Sequence, residues 1–267
     1  MSGNMEFATI ASGSSGNCTY IGTKHTKILV DAGISGKSID AGLDAIGVGG
    51  RDIDAIFITH EHDDHIKGAG VFSRKYGTPI YATCGTWLGG EYKMKKLSPL
   101  VKNVVTHDEN IIINDLCIKP FNIPHDAKEP VGYCVSTDKF KVTVATDLGH
   151  ITKTLMDNLA ESNIMLLESN HDPDMLENGP YPEILKRRIR GDKGHLCNEY
   201  AGKLIACVMS GRLSYVRLGH LSIENNTEQL AYKTVEEILN RYKIKVGTYL
   251  DMAVAPRLGV REVIELK

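Results

Sequence analysis

The stretch THEHDDH at residues 59–65 follows directly on the apolar run AIFI at residues 55–58. Three histidines and three acidic residues within seven positions cannot form a packed core, because polar atoms buried without partners carry a large free-energy cost. His60 and His62 lie two positions apart and share a face of an extended strand end, whereas Asp64 and His65 follow where the chain can turn into a helix. The stretch therefore predicts two imidazoles for one metal ion, and a carboxylate with an imidazole for a second.

The composition limits the classes of function. The chain has 267 residues, enough for one large domain or two fused halves. Its 31 lysines and arginines against 33 acidic residues give a net charge of −2, so any site for a polyanion must be local. The six cysteines are scattered without a Cys-x-x-Cys pair, which argues against a structural zinc knuckle or a disulfide framework. The sequence shows neither a signal peptide nor an apolar run near the ~20 residues of a membrane span, so we expect a cytoplasmic protein without a membrane partner.

Hydrophobic periodicity and turn residues divide the first half into strands and helices. The predicted strands span residues 5–12, 17–22, 26–31, 53–58 and 79–81, and the predicted helices span residues 36–46, 66–76 and 83–96. The first three strands follow one another so closely that we expect antiparallel pairing. A dense antiparallel run is expected next, at residues 101–106, 110–113, 115–121, 131–137 and 140–146, with a tight turn at Asn114-Asp115.

The second half repeats this rhythm. Helices are predicted at residues 150–160, 182–190, 195–209 and 227–241, and strands at residues 163–167, 214–218 and 246–251. Residues 252–267 are expected to pack on the surface. Because no low-complexity linker separates the halves, we expect a single α/β domain over residues 1–267, with similar halves at about 1–145 and 146–267.

Further candidate ligands follow predicted strands. Asp31 follows the run KILV, His125 follows a proline, and Asp147 follows the run VTVAT. Taken singly, they are also readable as a turn residue, a surface residue and the N-cap of the helix at 150–160. Beside the histidine stretch, we expect His125 and Asp147 to be metal ligands. The loop SGSSGN at residues 12–17 is either a plain turn or a phosphate cradle, with Asn17 as a candidate substrate-binding residue.

Together these residues resemble the metallo-β-lactamase superfamily, and more narrowly its YycJ/WalJ-like branch, over nearly the whole chain. The superfamily marks are Asp31, the pattern H-x-H-x-D-H at residues 60–65, and then His125, Asp147 and His220 in that order. The branch marks are the loop at 12–17, GPYP at 179–182, GHL at 194–196 and LGHLSIENN at 218–226. The resemblance implies a four-layer αββα sandwich with a dinuclear metal site at the edge between its sheets.

Carried over position by position, the resemblance also implies roles for individual residues. The ligands would be His60, His62 and His125 for the first ion, Asp64, His65 and His220 for the second, and Asp147 as the bridge. Asp31 would orient a ligand imidazole. His195 matches the histidine that assists the leaving group in related phosphodiesterases, so His195 and Asp64 are the predicted catalytic residues. Cys197 stands where this branch is expected to have serine, which puts a hydroxyl contact from that position in doubt.

The ligand types indicate hydrolysis. Imidazole and carboxylate ligands suit zinc, manganese or iron, and without a thiolate they leave the identity of the two divalent ions open. Two ions about 3.5–4 Å apart clamp the attacking and leaving oxygens of a phosphoryl displacement and activate a water. Superfamily members that open lactam antibiotics typically carry cysteine in place of Asp147, so the resemblance favours phosphodiester, thioester or lactone cleavage. His195 would then protonate the departing alkoxide.

The resemblance implies a 5′-to-3′ exonuclease acting on duplex DNA ends, in mismatch repair with other repair proteins. A basic helix supports a local DNA contact through Lys186, Arg187, Arg188 and Arg190, although such runs are usually solvated helix faces. His171 is either a residue lining the site or an ordinary loop residue. Two alternatives stay open: a small-molecule hydrolase, such as a cyclic or short phosphodiesterase or a lactonase, and a non-catalytic binding module with structural metals. The sequence leaves the oligomeric state undefined.

Overall fold

The computed structural model describes residues 4–107 and 109–267, and these residues form two compact units. Unit 1 takes its residues from Met1–Phe121, Ala127–Phe140 and Pro256–Lys267, and unit 2 consists of Asn122–Asp126 and Lys141–Ala255. The units are therefore not simply the first and second halves of the chain, because its C-terminal residues return to unit 1. A single domain over the whole chain stays a prediction.

Unit 1 contains a sheet of seven strands. These are β1 (Met5–Ala11), β2 (Cys18–Gly22), β3 (Lys27–Val30), β4 (Ala55–Phe57), β5 (Ile80–Thr83), β6 (Lys102–Val105) and, at the C-terminal end of the chain, β14 (Ile264–Leu266). Their order is β14, β1, β2, β3, β4, β5, β6. Strands β1 to β3 pair antiparallel, as their spacing predicts, whereas β3 to β6 pair parallel. Because β3 and β4 run side by side, the chain leaves them at one edge of the sheet, where Asp31 and the histidine stretch follow.

The helices of unit 1 pack apolar faces into one buried cluster with the sheet. They are α1 (Gly36–Asp44), α2 (Asp63–Ile66), α3 (Ala69–Tyr76) and α4 (Cys84–Met94). Ile10, Ile56 and Phe72 are among the buried members of this cluster. The predicted helix at 66–76 is interrupted at Lys67 and Gly68, where the N–H of Gly68 donates to the carbonyl oxygen of Ala32. A Cβ at Gly68 would lie 2.0 Å from the carbonyl oxygen of Ile34, so glycine fits this close approach.

Three further strands of unit 1 are adjacent in chain order. They are β7 (Ile111–Ile113), β8 (Leu116–Asn122) and β9 (Val131–Ser136). The predicted turn at Asn114 is confirmed, since β7 and β8 pair antiparallel and Asn114 has a left-handed φ of 48°. The predicted antiparallel run is wrong at its first member, because β6 pairs parallel with β5 in the seven-stranded sheet. Helix α4 lies between these two strands in the chain and supplies the crossover that parallel pairing requires.

Unit 2 contains four parallel strands in chain order and five helices. The strands are β10 (Lys141–Ala145), β11 (Ile164–Glu168), β12 (Tyr215–Gly219) and β13 (Asp251–Val254). The helices are α5 (Lys153–Leu159), α6 (Pro173–Asn178), α7 (Glu183–Arg190), α8 (Asn198–Val208) and α9 (Glu228–Arg241). Thr152 caps α5 through its side chain, so the alternative in which Asp147 caps this helix is wrong. Parallel strands bring their carboxyl ends to one edge, and this edge carries Asp147, Glu168 and His220.

Two predictions for the C-terminal region are wrong. The strand predicted at 246–251 lies at Asp251–Val254, and residues 252–267 are not a surface segment, because β14 pairs antiparallel with β1. Ile264 and Leu266 are buried and lie opposite Phe7 and Met5. A strand of three residues shows too little alternation to be recognised locally, and its partner lies at the other end of the chain. Among the described residues, no helix is long and apolar enough to cross a membrane.

Candidate metal centre

The histidine stretch follows β4 and runs into α2, within unit 1. His60 and His65 are fully buried, and His62 is half-buried. The Nε2 atom of His60 lies 3.0 Å from the Nδ1 atom of His62. Two ring nitrogens that converge in this way are placed to hold one cation in common.

Asp31 and Thr59 contact the far side of two of these rings. Asp31 Oδ2 lies 2.8 Å from His65 Nδ1, and Asp31 Oδ1 accepts the backbone N–H of Thr59 at 2.9 Å. The hydroxyl oxygen of Thr59 lies 3.0 Å from His60 Nδ1. Because these contacts engage the Nδ1 atoms, they turn the Nε2 atoms of both rings toward a ligand position. The contact between Asp31 and His65 is present, and its role in orienting a metal ligand stays a prediction.

Asn17 closes the Ser/Gly loop against the histidine stretch. Its side-chain oxygen accepts the N–H of Gly13 at 3.0 Å, and its side-chain nitrogen lies 3.1 Å from His65 Nε2 and 3.4 Å from Asp64 Oδ2. The backbone N–H of Asn17 donates to the carbonyl oxygen of Asp64. These loop N–H groups are engaged within unit 1, which favours the plain turn over a phosphate cradle. A contact between Asn17 and substrate stays a prediction.

Asp147 gathers three imidazoles in unit 2. Its Oδ1 atom lies 3.6 Å from Nε2 of His125, 3.6 Å from Nδ1 of His195 and 3.6 Å from Nε2 of His220. These separations exceed a hydrogen bond and are close to the roughly 3.4 Å between two ligands of one tetrahedral ion. Asp147 and His220 also have left-handed backbone conformations, with φ of 62° and 55°. Such strained residues cluster at functional sites, so the backbone supports the same interpretation.

Glu168, at the end of β11, is a member of this cluster that the sequence analysis missed. Its Oε1 atom lies 2.8 Å from His195 Nδ1 and 2.9 Å from His220 Nδ1. Its Oε2 atom accepts the backbone N–H groups of Leu148 and Leu196. Burial alone would raise the pKa of Glu168, but the neighbouring His195 and His220 outweigh it and lower the pKa to about 2. Because a carboxylate only accepts, Nδ1 of both rings carries a proton and Nε2 is the atom left for chemistry.

The segment between α7 and α8 carries His195 and supports His125. His125 Nδ1 lies 3.1 Å from the carbonyl oxygen of Gly194, and since a carbonyl only accepts, this ring also presents Nε2 to Asp147. The side chain of His195 is 17% exposed, so it belongs to the cluster and also reaches solvent. Cys197 is buried, and burial raises the pKa of its thiol. The thiol is therefore neutral near pH 7 and a weak nucleophile.

Helix α7 carries the four predicted DNA-contacting cations, and each has a partner within unit 2. Arg188 forms a two-point ion pair with Asp126, next to His125. The other pairs are Arg190 with Glu177 and Glu183, Arg187 with Glu183, and Lys186 with the carbonyl oxygen of Glu177. Exposed ion pairs of this kind contribute little free energy, so phosphates can compete for these cations. The DNA contact stays a prediction.

A cavity of about 530 Å³ lies beside His195 in unit 2. Its walls include Ile151, His171, Pro173, Leu196 and Tyr200. His171 is 4% exposed, and its backbone pairs with Cys197 in an isolated β-bridge. His171 therefore lines a cavity next to the cluster, while its contact with substrate stays a prediction.

Acidification should destabilise the protein through His171. Burial lowers the pKa of His171 to about 4, from an ordinary value of about 6.5. As the pH falls, the unfolded chain binds this proton before the folded protein does, so stability is lost progressively between about pH 6.5 and pH 4. Because asparagine does not titrate, the free energy of unfolding of His171→Asn should fall by up to about 3 kcal/mol less than that of wild type over this pH range. Urea unfolding of the metal-free protein at pH 7 and at pH 4 measures the difference.

The exposed His25 provides the control for this experiment. The variant His25→Asn should keep the wild-type pH dependence, because this residue is exposed and does not line the cavity of His171. If wild type and His171→Asn lost the same free energy of unfolding over this pH range, the burial of a neutral His171 would not be the cause.

Both clusters suit divalent metal ions. Their donors are imidazole nitrogens and carboxylate oxygens, and in unit 2 one such atom each from Asp147, Glu168, His195 and His220 lies within 4.8 Å of the others. Donors of this type bind zinc, manganese or iron without selecting one of them. The predicted cofactor, two divalent ions of open identity, therefore fits the donor groups that the two units provide.

Comparisons with known proteins identify relatives along most of the chain. A family model for the metallo-beta-lactamase superfamily matches residues 11–175. The chain is 37% identical over 243 residues to exodeoxyribonuclease YycJ of Bacillus anthracis, covering 91% of this chain and 92% of that protein. It is 38% identical over 244 residues to exodeoxyribonuclease WalJ of Streptococcus pneumoniae, covering 91% of each.

Solved structures are similar over nearly the whole chain. The metallo-beta-lactamase fold protein YhfI from Bacillus subtilis has a TM-score of 0.73 at 15% identity, covering 99% of this chain and 100% of that one. Zn²⁺-bound PqqB from Methylobacterium extorquens has a TM-score of 0.69 at 15% identity, covering 98% and 100%. At these identities the likeness concerns the fold alone, and with the family match it confirms the predicted fold class, the α/β sandwich of that superfamily.

Proposed function

Since this chain belongs to the metallo-β-lactamase superfamily and to the family of the exodeoxyribonucleases YycJ and WalJ, we propose that it is a metal-dependent 5′-to-3′ exonuclease of duplex DNA. Membership makes the chain a hydrolase. The observation that carries the DNA substrate is the identity of 37% and 38% to two exodeoxyribonucleases over 91% of this chain. Mismatch repair is the proposed process, with other repair proteins as partners.

The proposed ligand sets come from the superfamily resemblance. His60, His62 and His125 would hold the first ion, Asp64, His65 and His220 would hold the second, and Asp147 would be shared by both. The convergence of His60 and His62 in unit 1 supports the first set, and the 3.6 Å separations around Asp147 in unit 2 support the bridge. Asp31 and Glu168 hold the Nδ1 atoms of the ligands His65 and His220.

The proposed reaction is hydrolysis of the terminal phosphodiester. Bound metal ions supply an activated water and offset charge on the phosphate oxygens. The water oxygen forms a bond to phosphorus, and the bond from phosphorus to the 3′ oxygen of the terminal nucleotide breaks. Nε2 of His195 donates a proton to this 3′ oxygen while Glu168 holds Nδ1. The attacking water loses one proton to solvent, and His195 regains one from solvent, so the protons balance over the cycle.

A duplex labelled at the 3′ end of one strand tests the function. With Mn²⁺ or Zn²⁺ present, the wild-type protein should convert this strand into a ladder of fragments shortened from the 5′ side. The same duplex labelled at the 5′ end should release labelled mononucleotide at the same rate. Digestion from the 3′ side would contradict the polarity, and intact strands with every metal tried would contradict the exonuclease.

The cavity beside His195 favours one alternative, a small-molecule hydrolase acting on a cyclic or short phosphodiester. Its volume of about 530 Å³ lies within the range of small-molecule sites. Cleavage of bis-p-nitrophenyl phosphate by a protein that leaves every duplex intact would favour this alternative over the exonuclease.

The cations of α7 should contribute to the salt dependence of DNA binding. We consider a variant in which Lys186, Arg187, Arg188 and Arg190 are all replaced by glutamine. Its affinity for DNA should fall less steeply with salt, so the magnitude of the slope of log affinity against log salt should decrease. The expected decrease is about 1 to 4, because each phosphate contact contributes about 0.9. Fluorescence anisotropy with a labelled duplex at several salt concentrations, in a metal that does not support cleavage, measures the slope.

Exposed cations on α9 give the matched control. Lys233→Gln with Arg241→Gln should leave the slope at its wild-type value, because α9 has no proposed contact with DNA. If the α7 variant kept the wild-type slope as well, this helix would not lie on the path of the substrate.

A further inference from the structure

The cavity beside His195 is lined by residues from four parts of unit 2. Ile151 precedes α5, Pro173 begins α6, Arg190 ends α7, and Tyr200 lies in the first turn of α8. His195 belongs to this wall and also lies 3.6 Å from Asp147, so the cavity and the acid–imidazole cluster share a residue. A molecule in the cavity is therefore within reach of the reacting atoms of the cluster.

We propose that this cavity binds the terminal nucleoside of the DNA strand, the one that leaves in each cycle. The inference rests on the proposed exonuclease function and adds the place and recognition of the departing nucleotide. In 5′-to-3′ digestion the leaving atom is the 3′ oxygen of the terminal nucleotide, and His195 is the residue that protonates it. The sugar and base attached to that oxygen must lie on the same side of the phosphate as His195, and His195 is part of the cavity wall.

The walls have the properties that bind a nucleoside. Tyr200 is 53% exposed and presents an aromatic ring, on which any base can stack because every base has a π face. Ile151 and Pro173 add apolar surface beside it. The ammonium of Lys203 lies over the Tyr200 ring, 4.9 Å from its centroid, and pairs with the carboxylate of Glu199.

Two residues of opposite charge, Arg190 and Asp192, also line the cavity. Arg190 pairs with the carboxylates of Glu177 and Glu183, so its charge is shared before substrate arrives. Asp192 also lines the cavity, and its backbone carbonyl lies 2.8 Å from Nδ1 of His150. Because Arg190 and Asp192 carry opposite charges, the wall has little net charge, and the exposed ion pairs of Arg190 can give way to the phosphate of a bound nucleotide.

The test compares two duplexes that differ only in the 5′-terminal nucleotide. One carries a normal base and the other carries an abasic tetrahydrofuran residue. Wild type should remove the first nucleotide about tenfold faster, in kcat/KM, from the normal duplex. Tyr200→Ala should lose this preference and cleave both duplexes at the rate of the abasic one, whereas Tyr200→Phe should keep the preference because the ring remains. Ile151→Trp, which fills the cavity, should slow the normal duplex more than the abasic one.

The exposed Tyr242 serves as the control, and Tyr242→Ala should behave as wild type. Equal rates on both duplexes for wild type and Tyr200→Ala would overturn the nucleoside pocket and leave the exonuclease standing. Failure of wild type to shorten either duplex would overturn both. Isothermal titration calorimetry with 5′-dAMP and with deoxyribose 5-phosphate gives a second measure. Wild type should bind 5′-dAMP about tenfold more tightly than deoxyribose 5-phosphate, and Tyr200→Ala should lose this difference. Equal binding of the two compounds by wild type would overturn the nucleoside pocket.

Discussion

Asp147→Asn should lower kcat for DNA hydrolysis about a thousandfold and should remove metal from the purified protein. Asp147 Oδ1 lies 3.6 Å from a nitrogen of each of three histidines, and asparagine keeps this shape while removing the negative charge. Asparagine also tolerates the left-handed φ of 62° at this position, so the fold should be retained. The expected factor corresponds to several kcal/mol of lost charge stabilisation, since about 1.4 kcal/mol is tenfold. Elemental analysis and single-turnover kinetics measure the two effects.

Variants of two other aspartates serve as comparisons for Asp147→Asn. Asp31 is buried, follows a strand and has a left-handed φ of 61°, but it contacts the ring of His65 and is not a proposed ligand. Asp31→Asn should therefore lower kcat about 10- to 100-fold, and it should retain more metal than Asp147→Asn. Asp157 is exposed and pairs with Lys153, so Asp157→Asn should change neither quantity. Full metal content and full activity in Asp147→Asn would contradict a bridging carboxylate.

The histidine stretch and Asp147 could be predicted as candidate ligands because each follows an apolar strand, whereas His220 was assigned from the resemblance to the superfamily. Residues 55–58 and 142–146 alternate little and read as buried strands, so the histidines and the aspartate after them stand out. The left-handed backbone shared by Asp31, Asp147 and His220 was not visible in the same pattern, because aspartate and histidine also occur freely in ordinary turns.

Glu168 is a residue of the cluster that local sequence patterns did not predict. It is the last residue of the strand at 164–168, whereas Asp147 lies two residues after its strand, and a single carboxylate at a strand end is common and gave no signal of its own. Its partners His195 and His220 lie 27 and 52 residues further along the chain. Only the tertiary structure brings these three side chains within hydrogen-bond distance.

Strand pairing was missed for the same reason. β6 has the local pattern of an antiparallel hairpin member, yet the crossover through α4 places it parallel to β5. β14 pairs with β1 across almost the whole length of the chain. The partners of the α7 cations, such as Asp126 for Arg188, are also distant in sequence, so the helix reads as a run of unshared charge until the fold is known.

Glu168→Gln should lower kcat for DNA about a hundredfold to a thousandfold with little change in KM. The carboxylate accepts from Nδ1 of both His195 and His220, whereas glutamine has one accepting oxygen and an amide that faces the second ring with its own hydrogens. One imidazole must then change its tautomer or turn away. A misplaced His220 weakens metal binding about 10- to 100-fold. A misplaced His195 no longer transfers a proton to the 3′ oxygen, which lowers kcat about 10²-fold or more.

The leaving group separates these two effects of Glu168→Gln. Nitrophenolate departs without a proton, so at saturating metal the variant should cleave bis-p-nitrophenyl phosphate within about tenfold of wild type while remaining 10²- to 10³-fold slower on DNA. Glu61→Gln is the matched control, because Glu61 is also buried and its Oε1 atom accepts the backbone N–H of Lys128 at 2.9 Å. This control should lower both rates by the same factor. An equal loss on both substrates in Glu168→Gln at saturating metal would show that Glu168 supports the fold of the site, and that His195 does not depend on it for proton transfer.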